Sequence, residues 1–139
     1  FVLQNTLPTI EAKLLDNNGS EILDGASTVD TTPTLHWRTD DIDRNYSDAV
    51  TTTINVYRKS NDTIANGNTF SREHFSNFEW KNITFNVLGV DENYYYTIQS
   101  CDEDGGCNPL FQSDFRVIST NNYGNIGVKE LETDPRFSN

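Results

Sequence analysis

Hydrophobic and polar residues alternate along much of the chain, most clearly between Tyr94 and Cys101. One set of alternate positions holds Tyr94, Tyr96, Ile98 and Ser100, and the other holds Tyr95, Thr97, Gln99 and Cys101. A period of two is typical of a β-strand that buries one face. A polar turn precedes this stretch at residues 89–93, and a Gly-Gly pair follows it. The pattern therefore predicts a strand that continues into a hairpin.

The same alternation recurs in shorter segments on both sides of this strand. It places on one face Ile10, Ala12 and Leu14, then Leu35 and Trp37, Thr52, Ile54 and Val56, Ile83, Phe85 and Val87, and finally Phe111, Ser113, Phe115 and Val117. No segment has a sustained apolar period of 3.6 residues, so helices are not expected. About seven short strands separated by turns predict an all-β fold, a two-sheet antiparallel β-sandwich. Its predicted core contains Trp37, Ile54, Val56, Ile83, Phe85, Tyr96, Ile98, Phe115 and Val117.

The pattern is weakest between residues 60 and 75. Residues 60–68 are polar and contain a glycine, which predicts a surface loop with no core contacts. Residues 69–75 fit either a short strand or a single helical turn, and the pattern does not choose between them.

The two cysteines, Cys101 and Cys107, are separated by five residues that include the Gly-Gly pair. On a hairpin they would face each other across the turn, close enough for a disulfide. A metal pair is the alternative, but zinc sites usually have shorter cysteine spacing and two further ligands nearby, and the two histidines lie elsewhere in the chain. The sequence favours the disulfide, which implies an oxidising compartment outside the cytosol.

Two motifs resemble a known family. Residues 89–96 read GVDENYYY, and residues 24–35 read DGASTVDTTPTL. The first is similar to the corner before the penultimate strand of fibronectin type III domains, although it lacks their proline. The resemblance implies that Tyr94 or Tyr96 bonds back across this corner. The second is similar to the start of immunoglobulin-like modules in large bacterial surface proteins.

The resemblance implies an immunoglobulin-like or fibronectin type III-like module within a tandem array of an extracellular or cell-surface protein. Many bacterial modules of this kind also have a cysteine-clasped last hairpin. The sandwich is expected to cover residues 9–120, with a lead-in at 1–8 and a linker at 121–139. Because the sequence has no methionine and starts at Phe1, we expect it to be a piece of a longer protein.

The chain is acidic, with 21 Asp and Glu residues against 10 Lys and Arg and a formal charge of −11. This charge repels polyanions, so nucleic acids and anionic membrane surfaces are poor partners. No apolar run reaches the roughly 18 residues that a membrane span requires, so membrane insertion is not expected. Divalent cations and neighbouring domains of the same chain are better candidates.

Acidic residues are concentrated in two segments that the sandwich topology would bring to one end. They are Asp40, Asp41, Asp43 and Asp48 in the first segment, and Asp102, Glu103 and Asp104 in the second. The sequence allows two interpretations, a solvated acidic end or a Ca²⁺ site whose ligands are Asp40, Asp41, Asp43, Asp48, Asp102 and Asp104. The turn at residues 16–21 is a second, weaker calcium candidate because it offers few ligands.

No catalytic motif is present: the sequence has no Gly-x-Ser-x-Gly, no His-Glu-x-x-His and no phosphate-binding glycine loop. We therefore expect a non-catalytic module, either a structural or adhesive spacer or, as the alternative, a carbohydrate-binding module attached to a secreted hydrolase. Its ligand would be a protein or a polysaccharide. The candidate ligand-binding aromatics are Tyr57, Trp80, Tyr95 and Tyr123. An exposed, coplanar row of these aromatic rings would favour the carbohydrate-binding module, and rings that face the core would favour the spacer.

Overall fold

The computed structural model describes residues 8–40, 49–75, 79–103 and 105–119, and these form nine β-strands. The strands are β1 (Thr9–Leu15), β2 (Glu21–Ile22), β3 (Ala26–Thr28), β4 (Thr34–Asp40), β5 (Ala49–Arg58), β6 (Ile64–Phe75), β7 (Lys81–Thr84), β8 (Glu92–Cys101) and β9 (Phe111–Val117). No helix in the described part of the chain is long and apolar enough to cross a membrane.

The strands form two sheets that pack face to face. The four-stranded sheet has the order β2-β1-β4-β7, and the five-stranded sheet has the order β3-β9-β8-β5-β6. All neighbouring strands are antiparallel except β3 and β9, which are parallel. The predicted all-β two-sheet sandwich is confirmed. The described residues contain more strands than the seven expected, because β2 and β3 have only two and three residues, too few to show a period.

The predicted core is confirmed residue by residue. All nine predicted core residues are buried, and they pack with further buried residues that include Leu14, Ile22, Leu35, Leu88 and Tyr94. Leu35 and Trp37 lie on one face of β4, as their spacing predicts, and Trp37 is nearly inaccessible. Burying each large apolar side chain stabilises the fold by about 1.5–3 kcal/mol.

The expected surface loop at residues 60–68 is correct for residues 60–63, which are exposed and lie outside the strands, and wrong from Ile64 onward. Strand β6 begins at Ile64 and continues to Phe75, so the open choice at residues 69–75 is settled in favour of a strand. Ala65 and Asn68 are fully buried, and the side chain of Asn68 is hydrogen-bonded to backbone groups on both sides. A buried asparagine with satisfied hydrogen bonds contributes no hydrophobic signal, which is why the sequence pattern conceals this strand.

The sandwich has two poles, at which different strands begin and end. At one pole, β1 begins with Thr9 opposite Asp40, and β8 ends at the disulfide of Cys101. We call this end the disulfide pole. At the opposite pole, β9 ends at Val117 and β1 ends at Leu15; we call it the C-terminal pole. The first and last strands therefore run in the same direction, from the disulfide pole to the C-terminal pole.

Candidate functional sites at the poles and on the outer faces

The strand ends that flank the two acidic segments meet at the disulfide pole. Thr39 Oγ1 lies 2.9 Å from Ser100 Oγ, which links the end of β4 to the end of β8. The backbone N–H of Ala49, the first residue of β5, donates to Glu103 Oε2 at 3.0 Å. The structure thus brings together the elements that carry these segments, as the sandwich topology requires.

The predicted calcium ligands themselves are only partly described. Asp41, Asp43, Asp48 and Asp104 lie outside the described residues, and Asp40 is the last residue of β4. In the described part of the chain, no group of three or more His, Cys, Asp or Glu residues is arranged to hold a metal ion. The six-residue calcium site at the disulfide pole stays a prediction.

Asp102, the described calcium-ligand candidate of the second acidic segment, is buried and organises its own turn. Its Oδ1 accepts the backbone N–H of Gly106 at 2.8 Å, and its backbone N–H donates to the carbonyl of Gly106 at 2.8 Å. Gly105 has φ +87° and donates its N–H to the Asp102 carbonyl. The left-handed conformation explains the glycine at this position, because other residues adopt it with strain. Asp102 therefore has a structural role in closing the hairpin.

Cys101 and Cys107 form the predicted disulfide across this hairpin. They also face each other as an isolated antiparallel bridge between the two chain segments. Both thiols are consumed by the bond, so the alternative of a cysteine metal pair is excluded. Next to the disulfide, Asn108 Oδ1 accepts the backbone N–H of Ser100 at 2.6 Å, and its own N–H donates to the Ser100 carbonyl.

Tyr57 and Tyr95 lie opposite each other on β5 and β8, on the outer face of the five-stranded sheet. Their rings are stacked, with centroids 4.9 Å apart and planes inclined by 20°. The Tyr95 hydroxyl donates to Asp62 Oδ1 at 2.8 Å, and this hydrogen bond raises the pKa of Tyr95. Each ring covers a face of the other, so the pair does not present two faces side by side.

Trp80 lies on the outer face of the other sheet. Its ring stacks on His36 with centroids 4.3 Å apart and nearly parallel planes. Arg38 Cζ lies 4.5 Å from the ring centre, and Lys13 Nζ lies 5.2 Å from it. His36 is in turn hydrogen-bonded to Asn82. Trp80 therefore covers a group of basic side chains, an arrangement stabilised by cation–π attraction.

The three described aromatic candidates do not form one binding surface. Tyr57 and Tyr95 are stacked on the five-stranded sheet, whereas Trp80 lies on the four-stranded sheet. Tyr123 lies outside the described residues. Sequence spacing could not show this, because it does not reveal which sheet a strand joins.

The corner before β8 contains a tyrosine hydrogen-bonded to the backbone, and the residue is Tyr94. Its hydroxyl oxygen accepts the backbone N–H of Gly89 at 2.8 Å and also lies 3.2 Å from the Gly89 carbonyl. Burial raises the pKa of Tyr94. Tyr96, the other candidate, has its ring in the core beside Phe85.

A buried chain of polar side chains was not anticipated from the sequence. Ser100 Oγ lies 2.7 Å from Thr52 Oγ1, which lies 2.8 Å from His74 Nε2. Thr39 extends this chain on the other side of Ser100. Ser100 and Thr52 are completely buried, so the serine hydroxyl cannot meet a substrate. The network satisfies polar groups between the two sheets.

No protein-family model matches the sequence, and no curated protein matches it at a significant level.

Proposed function

We propose that this chain is a non-catalytic structural module, a spacer or adhesive repeat of a larger extracellular or cell-surface protein. The observation that carries the proposal is the position of the first and last strands. Strand β1 begins at the disulfide pole and β9 ends at the C-terminal pole. When the chain enters a module at one pole and leaves it at the other, successive modules extend a tandem array. The array does not fold back on itself.

The disulfide supports placement outside the cytosol, because such bonds persist in oxidising compartments. The corner formed by Gly89 and Tyr94 supports the resemblance to fibronectin type III-like and immunoglobulin-like modules. The parallel pairing of β3 with β9 joins an early strand to the last one, so the sandwich is closed by contacts between distant parts of the sequence.

The alternative, a carbohydrate-binding module of a secreted hydrolase, has less support. A flat sugar-binding platform requires exposed rings that lie side by side. Tyr57 and Tyr95 are instead stacked on each other, and Trp80 lies on the opposite sheet over His36. The arrangement therefore favours the spacer.

The experiment joins one, two and four copies of residues 1–139 head to tail and measures each by small-angle X-ray scattering. A strand of ten to twelve residues spans about 33–40 Å. The maximum dimension should therefore rise by at least about 33 Å with every added copy. Compact particles whose maximum dimension stays nearly constant would contradict the spacer.

The competing function is tested by electrophoresis of the single chain through gels that contain soluble polysaccharides. The spacer proposal expects the same mobility as in a gel without polysaccharide. Retardation that Tyr95→Ala abolishes would establish the carbohydrate-binding function instead. Asn93→Ala, a change at an exposed polar residue of the same strand, is the matched control.

A further inference from the structure

Asp30, in the loop between β3 and β4, has a buried carboxylate oxygen without a partner among the described residues. The residue is only 8% exposed. Its Oδ1 accepts the backbone N–H of Thr32 at 2.9 Å and lies 3.3 Å from the Thr32 hydroxyl. Its Oδ2 is inaccessible and forms no hydrogen bond with any described residue. A buried carboxyl oxygen without a hydrogen-bond partner is costly, so a positive ligand would stabilise it.

Asp30 lines a pocket of about 270 Å³ at the C-terminal pole, and the pocket wall is rich in oxygen. Six of its lining residues have a side-chain oxygen, namely Asp16, Asn17, Asn18, Ser27, Thr28 and Asp30. The remaining described lining residues are apolar, and none is basic. Two carboxylates in one pocket without a basic neighbour attract a cation.

The second carboxylate, Asp16, is held in position by the turn between β1 and β2. Its Oδ1 accepts the backbone N–H groups of Asn18 and Ser20, each at 2.9 Å. Gly19 completes the turn with φ +82°. These two hydrogen bonds engage Oδ1 and hold the carboxyl group in place. Oδ2 is therefore the oxygen of Asp16 that would bind a ligand.

We propose that this pocket binds Ca²⁺, with Asp16 and Asp30 as its charged ligands. Calcium takes six to eight oxygen ligands in irregular geometry, and carboxylates, amide oxygens and hydroxyls of the kind that line this pocket are suitable. Magnesium requires near-octahedral geometry and retains several waters, so it fits an irregular pocket less well. Zinc prefers nitrogen and sulfur ligands, and the described pocket lining has neither histidine nor cysteine.

The bound ion would join two separate segments where the last strand ends. They are the β1–β2 turn through Asp16 and the loop after β3 through Asp30, and Ile118, which follows β9, lines the same pocket. The backbone N–H of Ile118 already donates to the carbonyl of Thr28 at 2.9 Å. Calcium would therefore fix the direction in which the chain leaves the sandwich. The inference stands whether or not the module is a spacer.

The test is a titration of chelator-treated, ¹⁵N-labelled protein with CaCl₂, followed by amide chemical shifts. Saturable shifts are expected at residues 16–20, 27–32 and 118–119, with a Kd of about 10⁻⁴–10⁻³ M, as in extracellular modules. The positions of the shifts distinguish this pocket from the predicted site at the disulfide pole, whose amides lie at residues 40–48 and 100–108.

Two variants test the ligands. Asp30→Asn and Asp16→Asn each remove one charge but keep the Oδ1 that accepts the turn hydrogen bonds, so both should fold. Each is expected to weaken calcium binding at residues 16–20 and 27–32 at least about tenfold, because affinity follows the number of charged ligands. Asp62→Asn is the matched control, since Asp62 is exposed and does not line the pocket; it should titrate like the wild type.

Two results would overturn the proposal. One is a folded Asp30→Asn variant that titrates with the wild-type Kd. The other is an absence of saturable shifts at residues 16–20 and 27–32 in the wild-type protein, including the case in which only residues 40–48 and 100–108 respond.

Discussion

Three consecutive tyrosines at the start of β8 illustrate how position on a strand assigns different roles to identical side chains. Tyr94 and Tyr96 are buried, and Tyr95 lies between them on the outer face. Tyr94 is hydrogen-bonded to the backbone of Gly89, whereas Tyr95 is bonded to Asp62. Tyr96 is the most strongly perturbed, because burial raises its pKa to about 12 even though a hydrogen bond with Ser113 acts in the opposite direction.

The raised pKa of Tyr96 predicts a loss of stability at alkaline pH. Below pH 10 the phenol is protonated in the folded and the unfolded chain alike. Between pH 10 and 12 the unfolded chain loses this proton while the folded chain retains it, so rising pH favours unfolding. The free energy of unfolding should fall by about 2–3 kcal/mol over this interval through Tyr96 alone, at about 1.4 kcal/mol per pKa unit.

Urea unfolding at several pH values checks this prediction in the wild type and in Tyr96→Phe. The variant should lose less stability between pH 10 and 12 than the wild type. If the two stability curves stay parallel over that interval, Tyr96 is not the group that titrates.

A fully buried polar side chain, Asn68, connects strand β6 to the segment after β7. Asn68 Oδ1 accepts the backbone N–H of Asn86 at 2.6 Å, and its Nδ2 donates to the Ala65 carbonyl at 2.9 Å. The side chain also lies 3.2 Å from the Asn86 carbonyl. Asn68 thus forms hydrogen bonds with backbone groups that are not paired within either sheet. These bonds connect the five-stranded sheet to the segment that follows β7 of the four-stranded sheet.

We predict that Asn68→Ala lowers the free energy of unfolding by about 1–3 kcal/mol, because it leaves buried backbone groups without partners. Asn93→Ala, at an exposed position of β8, should change it by less than about 0.5 kcal/mol. Equilibrium unfolding in urea measures both. Equal stability of the two variants would show that the Asn68 hydrogen bonds make no net contribution.

At the scale of the whole molecule, an acidic chain with a formal charge of −11 has carboxylates near both poles. Asp16 and Asp30 line the pocket at the C-terminal pole, and Asp102 lies in the turn at the disulfide pole. A cation at either pole would reduce repulsion and would stabilise the folded chain according to its affinity. The two sites can be separated because they involve different residues.

For the disulfide pole, we predict that calcium raises the melting temperature of the Asp30→Asn variant by several degrees relative to the chelator-treated sample. Combining Asp41→Ala and Asp104→Ala in that background should remove the shift, because it deletes two of the predicted ligands. Differential scanning calorimetry measures both proteins. A shift that survives the two alanine changes would place the ion elsewhere, and no shift at all would leave a solvated acidic end.

The sequence determined the fold class and most of the core by itself. Alternation in segments such as residues 94–101 records which face of a strand is buried, and it needs no knowledge of the partner strand. The disulfide between Cys101 and Cys107 could be predicted because the turn between them is short and local. Local geometry was sufficient in both cases.

Only the tertiary structure decided the features that depend on distant segments. It showed that β6 contains the buried Asn68, that Trp80 lies on a different sheet from Tyr57 and Tyr95, and that Asp16 and Asp30 line one pocket. A hydrogen bond between segments, the choice of sheet and the meeting of two loops leave no periodic trace in the sequence. They arise when strands far apart in the chain pair and the two sheets close on each other.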